Sequence, residues 1–436
     1  MNVESELRES DHFATITDLW LSRTTEPYIS LMTSFFPGEH TGDNIAQEMR
    51  GALADWDLKE DQQVCVTTDN ASNMIKALEV NGWTRLQCFG HRLHLAIENA
   101  VKGDNRISRA TGVCKKLVCH FSHSWKKRVA LEQAQKHLNL PVHGLITECQ
   151  TRWSRVLMIN RILEQQKALH EVLSEDRNTR HLILGHQDPD VLESVSKALG
   201  SLLEFTAALS GEDYVSVSHI KPILNLFNTT ILAPEEGDTD MTKSLKKKML
   251  YMNSKYEERV TQELLDVASF VDPRYKTQYI SVNDIPIIKA RLVSEMKTME
   301  HKPKIMHSVE CTRVEEVSPP VVGGGPPPTK KAKKSLASFF KISTASATVP
   351  IDPTAVIEAE LSAYMQSSTI DNEEDPLLWW RTHKVNFPRL SNMARKYLPP
   401  ALPQRLFSAS GNIVSCERSC LKPDMVNKLV FLAKNL

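Results

Sequence analysis

The apolar positions along the chain change period near residue 90. Before it, short runs alternate as strands do. His12-Phe-Ala-Thr-Ile-Thr-Asp18 is rich in β formers, and Val64-Cys-Val-Thr-Thr68 ends directly at Asp69. Thr84 to Cys88 reads as a third strand. Between the first two runs, Ile45, Met49, Leu53 and Trp56 fall at helical spacing. This alternation predicts a small α/β core over residues 10–90.

Beyond residue 90 the pattern is helical. Ile159, Ile162, Leu163, Leu169, Val172 and Leu173 predict one apolar stripe. Leu192, Val195, Leu199, Leu202, Phe205 and Leu209 predict another. Residues 91–301 therefore read as an α-helical domain. The periodicity is lost around Ser318–Pro328, which reads SPPVVGGGPPP. Proline stiffens this stretch, glycine loosens it, and neither builds a packed element. Residues 302–350 are thus expected to be a linker, and 351–436 a C-terminal segment.

Composition narrows the picture. The 436 residues have room for two or three domains, and 41% hydrophobic with 24% charged residues is ordinary for a globular chain. Lys+Arg and Asp+Glu are both 53, so bulk positive charge does not hold this chain on nucleic acid. A local basic patch remains open. No apolar run approaches the roughly 18 residues of a membrane span. The polar, acidic stretch Met1–Asp11 does not read as a secretory signal. The eight cysteines include no Cys-x-x-Cys pair, which argues against a zinc finger and for reduced thiols.

Two aspartates stand at the carboxyl ends of expected strands, Asp18 and Asp69, where sites on open α/β sheets are built. Two carboxylates there suit Mg²⁺ and phosphoryl transfer; from spacing alone the simpler reading, that each caps a turn or a helix, is preferred. Cys88, His91 and His94 have the spacing of three metal ligands on one helical face, with Cys114, Cys119, His120 or His123 as a fourth. The simpler reading, a core cysteine with capping histidines, is preferred, and no metal is assigned. Arg152-Trp153 pairs a guanidinium with a flat aromatic, a combination that can hold an unpaired base. Trp379, Trp380, Phe387, Tyr397, Leu398, Phe407, Val430 and Phe431 concentrate large apolar groups near the C-terminus, as an interface core does. Lys330, Lys331, Lys333 and Lys334 form a basic cluster in the expected linker, which suits nuclear import. Leu336-Ala-Ser-Phe339-Phe340, just after it, only faintly follows a sliding-clamp-binding pattern.

Several blocks, in order, resemble the hAT-type transposases and their vertebrate relatives with an N-terminal BED zinc finger. They are Ile16-Thr-Asp18-Leu-Trp20, Thr67-Thr-Asp69-Asn-Ala-Ser-Asn-Met74, Cys88-Phe-Gly-His91-Arg-Leu-His94 and Thr151-Arg-Trp153. They continue with Leu377-Leu-Trp379-Trp380, Phe387-Pro388, Ala394-Arg-Lys-Tyr-Leu398 and Arg405-Leu-Phe407-Ser-Ala-Ser-Gly411. The resemblance implies an RNase H-like core interrupted by a large helical insertion and closed by a hAT dimerisation segment at 351–436. It implies an Asp-Asp-Glu triad for DNA strand transfer, with Asp18 and Asp69 in the first two places. Gln404 stands where the glutamate belongs, and its amide is a poor ligand for a divalent ion. In the family the cysteine–histidine block lies in the DNA-processing region, and the tryptophan matching Trp153 holds a flipped base near the cut. Arg152, Trp153, Cys88 and His91 are therefore DNA-contact candidates.

The interval between Tyr28 and Phe35 is shorter than in relatives, as though a hairpin were missing, and no BED-type Cys/His pattern is found. The resulting expectation is a catalytically degenerate, transposase-derived nuclear protein and homodimer, with no enzyme activity and no cofactor. Its expected partners are DNA or chromatin, with a role in transcription regulation, no membrane and no small-molecule substrate. The alternative is a residual Mg²⁺-dependent nuclease on Asp18 and Asp69, with Glu417 as a substitute carboxylate.

Overall fold

The β-rich segments before residue 90 sort into two sheets in the computed structural model. It describes residues 13–16, 19–21, 27–29, 34–35, 39–55, 57–147, 154–211, 216–300 and 352–398. In the first sheet β1 (Phe13–Ile16), β5 (Gln63–Thr68) and β6 (Arg85–Gln87) run parallel in the order β1-β5-β6. Thr15 pairs with Val66, and Thr67 with Leu86. In the second, β2 (Leu19–Leu21), β3 (Pro27–Ile29) and β4 (Ser34–Phe35) are antiparallel. The short interval after Tyr28 joins neighbouring strands directly, because Tyr28 and Phe35 are cross-strand partners.

Parallel strands need crossovers, and helices supply them. α1 (Gly42–Asp55) precedes β5, and α2 (Ser72–Asn81) links β5 to β6. Ile45, Ala46 and Met49 of α1 meet Val66 of β5 and Met74, Ala77 and Leu78 of α2 in one buried cluster. The spacing of Ile45, Met49 and Leu53 thus does bury one face. Gly42 is required by that contact: a Cβ there would stand 2.5 Å from Lys76 Cγ. Gly82 ends α2 in the left-handed region (φ 67°) and turns the chain into β6.

The rest is helical. α3 (Phe89–Lys102), α4 (Asn105–Ser122) and α5 (Trp125–His137) are followed by α6 (Ser154–Glu164), α7 (Gln166–Ser174) and α8 (Asp188–Gly211). α9 (Ile220–Leu226) runs into a π turn at Phe227–Ile231, and α10 (Asp240–Leu250) and α11 (Arg259–Val271) follow. The stripe from Ile159 to Leu173 is divided between α6 and α7, with fully buried Gln165 at the break. The stripe from Leu192 to Leu209 lies on α8, with Leu192, Val195 and Leu202 completely buried.

The chain divides into two compact units, 1–288 with 368–436, and 289–367. α12 (Ile285–Glu300) runs from the first into the second. The second also contains α13 (Pro353–Gln366), capped by Asp352 through the Thr354 amide at 3.0 Å. Within the first unit, α14 (Pro376–His383) and α15 (Pro388–Tyr397) form the last described elements. No described helix is long and apolar enough to cross a membrane.

Candidate functional site

β5 and β6 run parallel, so both end at one edge, and the chain places polar residues there. Asp69 follows β5 immediately, half-buried. Its Oδ1 accepts the Ala71 amide at 3.0 Å, an Asx turn that leads into α2. Oδ2 has no hydrogen bond to any described residue. Arg85, at the start of β6, donates from its guanidinium to the Asp69 carbonyl and to Asn70 Oδ1. The Cys88 amide donates to the Thr68 carbonyl at 2.9 Å and fixes the start of α3 beside Asp69. Cys88 is the N-cap residue of α3, and His91 and Arg92 lie in its first turn. Arg92 donates to Gln87 Oε1, and the Tyr256 hydroxyl donates to the Gln87 carbonyl at 3.1 Å.

The charges are tuned by burial. Desolvation lowers the pKa of Arg85; Arg92 adds to the effect and Asp69 opposes it. His91 is lowered from 6.5 by burial against the pull of Asp69, so its imidazole is neutral at pH 7. Burial pushes the Tyr256 hydroxyl far up, and it stays protonated. Thr68 Oγ1 and Arg85 Nε are buried without a hydrogen-bond partner. Buried polar atoms are seldom left so, and these two adjoin Asp69. The Arg85 guanidinium and the neutral His91 imidazole at this sheet edge can donate to phosphate oxygens, whereas the Asp69 carboxylate faces a phosphodiester only through a bridging cation.

Among the described residues no three His, Cys, Asp or Glu side chains converge on a metal position. Asp18, Gln404, Arg152 and Trp153 lie outside the described residues. So do Lys330, Lys331, Lys333, Lys334, Phe407, Val430 and Phe431. The structure therefore brings Asp69, Cys88 and His91 to one edge and adds Arg85, Arg92 and Tyr256. The sequence reading passed over these three because nothing local marks them; Tyr256 reaches Gln87 from 169 positions away.

The aromatic residues near the C-terminus are placed differently from one another. Trp380, Phe387, Tyr397 and Leu398 are buried, between 2% and 8% exposed, within the chain itself. Trp380 donates Nε1 to the Val271 carbonyl at 2.9 Å, and the Ile370 amide donates to the Pro273 carbonyl at 3.3 Å. Trp379 is half-buried and stacks on His383, with ring centroids 4.0 Å apart. The exposed apolar side chains here are Leu377, Leu378 and Val385, at 36%, 56% and 91%. Beneath the Trp380 contact, Asp272 is fully buried. It accepts from Ser218 Oγ at 2.6 Å and from Arg274 Nη2 at 2.7 Å. A charged Asp272-Pro273-Arg274 sequence after the largely apolar stretch Leu264–Val271 was the available signal for this cluster.

Residues 360–436 match the hAT family C-terminal dimerisation region. The chain is related to hAT-derived proteins. It is 25% identical over its whole length to zinc finger BED domain-containing protein 4 of Homo sapiens, of which it covers 38%. Over 90% of its length it is 23% identical to zinc finger BED domain-containing protein 6 of Homo sapiens, of which it covers 42%. A 136-residue stretch is 26% identical to the transposable element Hobo transposase of Drosophila melanogaster, covering 31% of this chain and 19% of that one. The chain thus spans about two fifths of the two BED-finger relatives.

Proposed function

We propose that the chain acts as a dimerising, transposase-derived nuclear protein that associates with DNA or chromatin and regulates transcription without transferring DNA strands. The match of residues 360–436 to a dimerisation region carries this reading. The BED-finger relatives support the regulatory role, and the basic run Lys330–Lys334 supports nuclear import. The RNase H-like core is supported by the parallel order β1-β5-β6 with Asp69 at its carboxyl edge. Loss of strand transfer is supported by Gln404, since a neutral amide cannot supply the third carboxylate.

We assign the dimer contact to exposed Leu377, Leu378 and Val385, since Trp380, Phe387, Tyr397 and Leu398 are buried within the chain. Deleting the C-terminal segment is a poor test, because it strips the buried partner of Val271. Light scattering on the full chain is the better one. A dimer at micromolar concentration should become monomeric in the double variant Leu378→Asp, Val385→Asp, with an unchanged thermal midpoint. A parent chain that is monomeric at that concentration removes the reading.

The second reading, a residual metal-dependent nuclease on Asp18 and Asp69, is favoured by the unpartnered Thr68 Oγ1 and Arg85 Nε beside Asp69. It requires nicking of supercoiled DNA with Mg²⁺ or Mn²⁺ that Asp69→Asn abolishes.

A further inference from the structure

The chain as a whole is neutral, but its charges are not evenly spread. Between Asp104 and Glu132 there are seven lysines and arginines and no carboxylate. This stretch carries α4 and most of α5. Arg106 and Arg109 are engaged by Asp104 and Asp188, and Lys127 lies 3.9 Å from Asp176. Lys116, Lys126 and Arg128 are exposed and have no ion pair with any described residue. Trp125, 70% exposed, directly precedes Lys126 at the start of α5.

The placement of Trp125 is fixed by local structure. Ser124 caps α5, its Oγ accepting the Lys127 amide at 3.3 Å, so Trp125 is the first helical residue. Arg128 lies three positions on and shares its face. The core makes no use of this indole, since α5 turns Leu131 and Ala134 inward instead. A projecting indole beside unpaired cations offers a ring face for stacking and counter-charges for phosphate. Protein interface cores favour tryptophan but are depleted of lysine, and Lys126 adjoins this one. In a duplex the base faces are already stacked on neighbours, so the fitting ligand has unpaired bases.

We propose that the first turn of α5 is a binding surface for single-stranded nucleic acid, with Trp125 stacking a base and Lys126 and Arg128 contacting phosphates. This surface shares no residue with the Asp69 edge or with the exposed residues of α14, so it stands or falls independently of the dimer.

The test is fluorescence anisotropy of a labelled oligothymidylate, about 20 nucleotides long, titrated with the full chain. Binding should weaken as salt rises, and the double variant Lys126→Glu, Arg128→Glu should flatten that dependence. Trp125→Ala should weaken binding about 5- to 150-fold, the range of one base–aromatic stack, while Trp125→Phe keeps most of it. Because Trp125 is exposed, the thermal midpoints of these variants should match the parent. The proposal is overturned by absence of binding at low salt or by Trp125→Ala binding as tightly as the parent. Equal affinity for a duplex of the same length, unaffected by Trp125→Ala, also overturns it.

Discussion

The Trp380 indole donates to the Val271 carbonyl at 2.9 Å, joining positions 109 residues apart. Val271 is the last residue of α11, so its carbonyl is one of those a helix leaves without an intrahelical donor. It is also completely buried, where water cannot supply one. A side chain from the stretch that matches the hAT dimerisation region thus completes a helix in the middle of the chain.

Removing the donor separates the bond from the packing. Trp380→Phe keeps an aromatic ring but orphans the Val271 carbonyl, which should cost about 1–3 kcal/mol. Trp380→Ala also opens a cavity and should cost about 3–5 kcal/mol. Urea unfolding of the two variants and the parent measures both. A phenylalanine variant as stable as the parent would show that the bond contributes nothing.

Lys246 is a buried ammonium, 1% exposed, held by the Ala233 carbonyl, Glu235 and Asp238, each at 3.0 Å. Asp238 also meets Lys197 at 2.9 Å; against burial, which raises it, its carboxyl is held well below the usual range by the Glu235 amide and by Lys197 and Lys246. Lys246→Met leaves the carboxylate short of one partner and should cost about 3–5 kcal/mol. Adding Asp238→Asn should recover part of that loss. A double variant less stable than the sum of the two single changes would contradict this account of the pair.

His219 makes stability depend on pH. Its Nδ1 accepts the Ser216 amide at 3.2 Å, and burial, with Arg274 adding to it, lowers its pKa to about 4. The unfolded imidazole titrates near 6.5. Between those values the unfolded chain binds a proton that the native chain does not, so this contribution is complete above pH 6.5 and is lost on acidification towards 4. The slope from this group should approach about 1.4 kcal/mol per pH unit. His219→Asn retains an acceptor for Ser216 but cannot titrate. Its unfolding free energy should fall less steeply with acid than that of the parent; parallel curves would exclude His219 as the source.

The elements of the α/β part were legible because their signals are local. β5 ends at Thr68 and α1 buries Ile45, Met49 and Leu53, as their spacing predicts. The stripe from Ile159 to Leu173 misleads, since it belongs to two helices. The break is at Gln165, whose Nε2 donates to the Pro141 carbonyl at 3.0 Å, 24 positions earlier. A missing apolar step between Leu163 and Leu169 was the trace of that break in the sequence. At the candidate site, Asp69 was marked by its place after a strand, whereas Arg85 and Tyr256 reach it only through strand pairing and helix packing.

Trp379 and Trp380 show where sequence stops deciding. Their density of aromatic surface is a property of the sequence, and it signals that something must be buried there. Neighbouring positions on a helix point about 100° apart, so packing against α11 can take in only one of them. Trp380 is buried on the Val271 carbonyl, while Trp379 stays half-exposed against His383. Local periodicity fixed which segments are strands and helices. The orphaned end of a helix 109 residues away decided which indole closes the core.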